Sequence, residues 1–376
     1  MELASQLTAP LRGTLLLAVV VLVGGPPTAE LVVYPLADAE DVRTTVVDRL
    51  VLLLVGVPAL TAFAAATALL LATSSGGLPL SADGGRALLA TEWGAVWVAQ
   101  TAVTLGLGLV ALVGIVGLVV VPRQWWLRGA TAGGVLVLLA VCASGYSTVV
   151  PDARVAIALK FGHMAGAAVW TGGLVVLTTV CPPVLRAVDE DARRRAVARA
   201  IRSFSPIAVG GVTLASVAGL LIAVWHLPGA TTVRASDYGV VLAVKVAFAL
   251  AAAGLGGVNR FLLLSRLQPA ACRRRTAGRR LLSRLPHGGA ANATGRGATQ
   301  SFVWAIRVEV LVLVAVMLLS VVLTAVLSVP AGAGHLNATG SEFRSVLLVG
   351  AMVVAAVGFT TFGYEVTEVR REPPPT

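Results

Sequence analysis

The chain has 376 residues, of which 57% are hydrophobic and only 12% charged, with a mean hydropathy of +0.88. Soluble domains carry about a quarter charged residues, so this composition excludes the soluble globular class. A net charge of +11 would suit nucleic acid in a soluble protein, but here the arginines cluster in short segments between apolar runs, as topology signals do; nucleic acid is not an expected partner.

A hydrocarbon core takes about 20 apolar residues per helix. On that measure the sequence predicts an all-α, polytopic membrane protein of about nine transmembrane helices, over residues 13–35, 50–72, 93–121, 129–149, 155–182, 205–226, 239–263, 303–329 and 346–364. The first run follows Arg12 and resembles a signal peptide. Removing it would leave the second run starting on the wrong side, so it counts as a span. Gly24-Gly25-Pro26-Pro27 interrupts it, which predicts a break or kink in a peripheral helix.

Arginine alternates between the loops. The segments after the third, fifth and seventh runs hold Arg123 and Arg128, then Arg186 with Arg193 to Arg195, Arg199 and Arg202, then Arg273 to Arg275, Arg279, Arg280 and Arg284. The intervening loops hold Arg86, Arg154, Arg234 and Arg344. By the positive-inside rule the N-terminus lies outside and the C-terminal tail inside, in a multi-pass protein of the cytoplasmic membrane with the lipid bilayer as its first partner. Three regions follow: 1–150 with the first helices, 151–330, and 331–376 with one further helix. The inside loop over 265–301 is basic, then Gly/Ala/Asn/Thr-rich, and reads as mostly disordered, with arginines suited to anionic lipid. Asn337-Ala338-Thr339, in an outside loop, fits a glycosylation sequon.

The cysteines Cys142, Cys181 and Cys272 show no paired spacing, so no disulfide framework is expected. There is no Walker motif and no evident nucleophile–base constellation, and no enzyme activity is expected.

Ionisable side chains are costly at membrane depth and mark functional candidates. That set is Glu30, Lys160, His163, Lys245 and Glu309. Lys160 and Lys245 lie near the outer surface and can snorkel. Glu309 and Arg260 fall at matching depth near the inner surface and read as a structural pair. His163 lies about 12 Å below the outer end of its helix and Cys142 about 10 Å below the end of its own, at 1.5 Å per residue. Cys142 shares a face with Tyr146, and Met352 on the last helix falls near the same level. A thiolate, an imidazole and a thioether at one depth suit a soft ion such as Cu(I). Gly162, Gly166 and Ala167 on the His163 helix predict close approach of a neighbour.

The run from Phe161 to Leu174, with His163, Trp170, Gly172, Gly173 and Leu174, resembles the His/Trp helix of the copper resistance protein D family. The order continues with Arg202-Ser203-Phe204-Ser205-Pro206, Gly219-Leu220-Leu221, Tyr238-Gly239, Lys245, Asn259-Arg260-Phe261 and Arg307-Val308-Glu309. The resemblance covers about 155–330, and 1–150 fits it more loosely. It implies an integral membrane protein that handles copper, moves it across the cytoplasmic membrane, and works with a small copper-binding protein outside. His163 is then the principal metal ligand, Cys142 and Met352 helpers, and Tyr146, Lys160, Trp170, Lys245, Arg260 and Glu309 supporting or structural. One departure stands out: where the family carries Ser-Gly-His, this chain reads Ser144-Gly145-Tyr146. A second class, a membrane cytochrome holding haem through His163 and a methionine, and a third, a non-transporting membrane scaffold, stay open beside it.

Overall fold

In lipid each backbone amide must be satisfied within its own segment, so the apolar runs become helices. The computed structural model describes residues 2–42, 44–73, 86, 90–118, 122–144, 153–226, 237–267, 295–325, 349, 351–356 and 358–362. All of its regular elements are helical: α1 (Glu2–Thr28), a π-helical turn (Ala29–Val33), α2 (Tyr34–Ala39), α3 (Thr44–Thr73), α4 (Glu92–Val116), α5 (Arg123–Cys142), α6 (Ala153–Thr179), α7 (Cys181–Ala187), α8 (Glu190–His226), α9 (Asp237–Leu267) and α10 (Gly295–Ala325). Among the described residues, eight helices are long and apolar enough to cross a membrane. The expected ninth run corresponds to a shorter apolar helix, α11 (Ala351–Phe362).

α1 is the axis of the bundle, packed by α3, α5, α6 and α10. The helix expected at the periphery is therefore at the centre. Small residues make this possible. Gly24 of α1 lies against the Ala168 carbonyl and Gly172 of α6, and Gly172 lies against the Val20 carbonyl in return. Gly134 of α5 sits on the Leu22 carbonyl. On α3 the face Val47, Val51, Val55, Ala59, Ala62 and Ala66 repeats at helical spacing and is buried. Trp97 of α4 donates its indole N–H to the Ala66 carbonyl at 3.1 Å, which staples α4 onto α3. α6 and α8 form the other large seam, with α9 and α10 packed together beside it. Gly166 of α6 meets the backbone of Gly211 and Ala215 in α8, the close approach that the glycine pattern predicts. Outward-facing Leu31, Leu109, Leu136, Leu250 and Leu311 remain exposed in the bundle, as a lipid-facing surface requires.

The Gly-Gly-Pro-Pro stretch does not break α1. Pro26 and Pro27 remove the helical donors to the Leu22 and Val23 carbonyls, and the strain is absorbed just downstream. There the Tyr34 amide reaches back to the Ala29 carbonyl, a π-type bond that lets the chain re-enter α-helix as α2. Pro182 and Pro183 act differently. They separate α6 from the short buried helix α7.

Most of the arginine segment 186–202 is helical: Arg186 lies in the last turn of α7, and residues 190–202 open α8. Asp189 caps it, accepting from the Ala192 amide at 2.8 Å, and Glu190 and Asp191 complement the helix dipole in its first turn. Arg193 bonds the Leu185 and Val188 carbonyls at 2.6 and 2.8 Å and closes the end of α7. Ala196, Val197, Ala200 and Ile201 bury the opposite face. Replacing Asp189 with alanine is expected to cost about 1 kcal/mol of stability, read as a lowered unfolding midpoint in detergent. The expected loop over 265–301 is also shorter, since 265–267 belong to α9 and 295–301 to α10; residues 268–294 lie outside the described residues.

Candidate functional site

The expected ligand residues sort onto different sides of α6. His163 turns toward α8. Its Nδ1 lies 2.7 Å from the Ala215 carbonyl oxygen, in a slot that Gly219 leaves open: a Cβ on that glycine would sit 2.9 Å from Nδ1. A carbonyl can only accept, so Nδ1 carries the proton and Nε2 keeps its lone pair. An imidazole held by a backbone carbonyl through one nitrogen, with the other free to coordinate, is the arrangement that metal-ligating histidines adopt. Lys245 of α9 lies within electrostatic range of this ring.

Cys142 turns instead toward Met164, its Sγ 3.7 Å from the methionine Sδ. The cysteine is fully buried at the last residue of α5. Beside it, the Lys160 ammonium donates to the Val141 and Ser144 carbonyls at 3.2 and 3.1 Å. A cation at the C-terminus of a helix satisfies orphan carbonyls and complements the dipole. Lys160, half-buried, thus closes α5. Met352 is 72% exposed on α11. His163 and Cys142 thus meet different neighbours, and among the described residues no three His, Cys, Asp or Glu side chains cluster as metal ligands do. Tyr146 lies outside the described residues.

The Glu309 carboxylate of α10, which the sequence pairs with Arg260, accepts a hydrogen bond from the Trp170 indole of α6 at 3.0 Å. Both side chains are buried. Gly256 of α9 makes room for the carboxylate, since a Cβ there would lie 2.9 Å from Oε1. One contact thereby ties α6 directly to α10, with α9 packed against the carboxylate.

At the arginine-rich end of the bundle the first loop supplies the counter-charges. Arg123 meets both carboxylate oxygens of Asp38 at 3.4 and 3.2 Å and lies 4.4 Å over the Tyr34 ring. Tyr34 donates to Asp48 at 2.8 Å. Glu30 pairs with Arg128 at 3.7 Å and Glu40 with Arg199 at 3.3 Å. Glu30, Tyr34, Asp38, Arg123 and Arg128 line a cavity of about 210 Å³. Sequence reasoning missed this network. Its only signal was that acids are concentrated in 30–48 while arginines fill the third and fifth loops.

Apolar helices of spanning length, joined by backbone-to-backbone crossings, define a multi-pass helical membrane protein. Residues 198–323, from the third turn of α8 to near the end of α10, match the family model described as copper resistance protein D. No curated protein and no solved structure matches the chain. The matched stretch contains Ala215, Gly219, Lys245, Gly256 and Glu309. His163, Trp170, Cys142 and Met164 lie before it and pack against it or beside it.

Proposed function

We propose that this protein handles copper in the cytoplasmic membrane, carrying the ion through the helical bundle as part of copper resistance or homeostasis. The observation that carries this reading is the copper resistance protein D match over α8–α10, together with the way that unit holds His163. His163 offers Nε2 to the ion, and Ala215 and Gly219 fix the ring. Trp170 and Glu309 keep α6 and α10 in register around it. The arginine-rich end faces the cytoplasm, so the Lys160 end faces a small copper-binding partner outside.

The test is copper content in cells that lack or overexpress the protein, with metal analysis of the purified chain. Overexpression is expected to change cell copper, and His163→Gln to lower copper affinity by at least about tenfold, since even partners of a ligand contribute about 10- to 100-fold. Unchanged cell copper on both deletion and overexpression would refute the reading. A haem band in the absorption spectrum of the purified protein would replace it with a cytochrome.

A further inference from the structure

The geometry points to a second soft-ion site at Cys142 and Met164, selective for a monovalent cation, Cu(I) or its surrogate Ag(I). It rests on the copper reading for its cargo but on different side chains. The two sulfurs come from helices α5 and α6 and stand 3.7 Å apart. With metal–sulfur bonds of about 2.3 Å, that separation corresponds to a roughly tetrahedral angle at a shared ion, so both could bind without moving the helices apart. Thiolate and thioether are the donors that select Cu(I). Met164 is half-buried while Cys142 is fully buried, so the thioether is the side from which an ion arrives.

Charge supplies the selectivity. The Lys160 ammonium sits on the carbonyl of Val141, the residue next to Cys142. These surroundings oppose added positive charge at low dielectric. When Cu(I) binds, the S–H bond of Cys142 breaks, the S–Cu bond forms, and the proton leaves to water. One positive charge replaces another, with no change of oxidation state, and the site's net charge is unchanged. A divalent ion would leave one extra charge beside Lys160. The site therefore admits Cu(I) and Ag(I) and rejects Zn(II).

The experiment titrates the purified full chain in detergent with Ag(I), with Cu(I) under ascorbate, and with Zn(II), following sulfur-to-metal ultraviolet absorption and competition with a chromophoric Cu(I) chelator. Wild type is expected to take up an equivalent of Cu(I) or Ag(I) that Cys142→Ser loses. Met164→Leu, which conserves volume, should bind at least about tenfold more weakly. His163→Gln should keep the sulfur absorption. If Cys142→Ser elutes as aggregate, Met164→Leu decides alone. Wild-type Cu(I) and Ag(I) affinity in Met164→Leu, or Zn(II) binding as tight as Ag(I), overturns the site. If those results accompany altered cell copper on overexpression, the pair is wrong and the copper reading stands. If the pair binds Cu(I) while deletion and overexpression leave cell copper unchanged, the site stands and the copper reading fails.

Discussion

Gly24→Val is expected to abolish assembly of the bundle. The valine Cβ would enter the Ala168 carbonyl, and the obstruction is backbone, with Gly172 immediately behind it. A flexible side chain can yield; two helices crossing at their backbones can yield only by separating. Overpacking a core ordinarily costs about 1–3 kcal/mol, and a clash that parts α1 from α6 should exceed about 3 kcal/mol, because the seam holds the most buried span among the described residues. The measurement is the monodisperse fraction in size-exclusion chromatography after extraction, with Gly172→Val expected to behave alike. Gly106→Ala on α4 is the control, since a Cβ there meets nothing within 4 Å. It should leave the protein folded or stabilise it by up to about 1 kcal/mol, the helix-propensity gain over glycine. Wild-type elution of Gly24→Val would show that α1 does not lie on α6 as described.

Trp170→Phe is the second substitution with a large effect. It keeps the aromatic volume and removes the N–H that binds Glu309. A buried carboxylate then loses a charge-assisted donor, at a cost of about 1.5–3 kcal/mol. Glu309→Leu alone leaves the indole N–H unmatched, and the double substitution removes both groups. The double variant should therefore be more stable than the sum of the single losses implies. A coupling energy above about 1 kcal/mol in a double-mutant cycle of unfolding midpoints establishes the contact, and additive losses would refute it. Because the pair joins α6 to the matched α10, copper affinity at His163 is expected to weaken in Trp170→Phe even though neither residue binds the ion.

Much of this architecture is written in local composition. The apolar runs set the spans, because a helix is the only open-ended way to satisfy backbone groups in lipid. The alternation of arginine also reappears spatially, in that Arg123, Arg128 and Arg199 meet the acids of 30–48 at one end. Gly162 and Gly166 announced a close crossing, and α8 makes it. The candidate site was less legible. Depth arithmetic placed Cys142 and His163 at one level, yet depth is only one coordinate. Rotation about the helix axis decides which neighbour a side chain meets, and adjacent His163 and Met164 diverge by about 100°. Met164, one residue along from His163, is the residue that Cys142 touches.

The sequence alone determined that this chain is a helical membrane bundle, where its apolar runs lie, and which region resembles the copper resistance protein D family, because hydropathy, charge distribution and short motifs are properties of neighbouring residues. Tertiary structure alone decided that α1 is the axis and not a peripheral helix, that Glu309 answers Trp170 across 139 positions of chain, and that the soft donors divide into His163 on one side of α6 and Cys142 with Met164 on another. Those outcomes depend on helix rotation and on which glycines face one another, and both are fixed only when every helix of the bundle is packed at once.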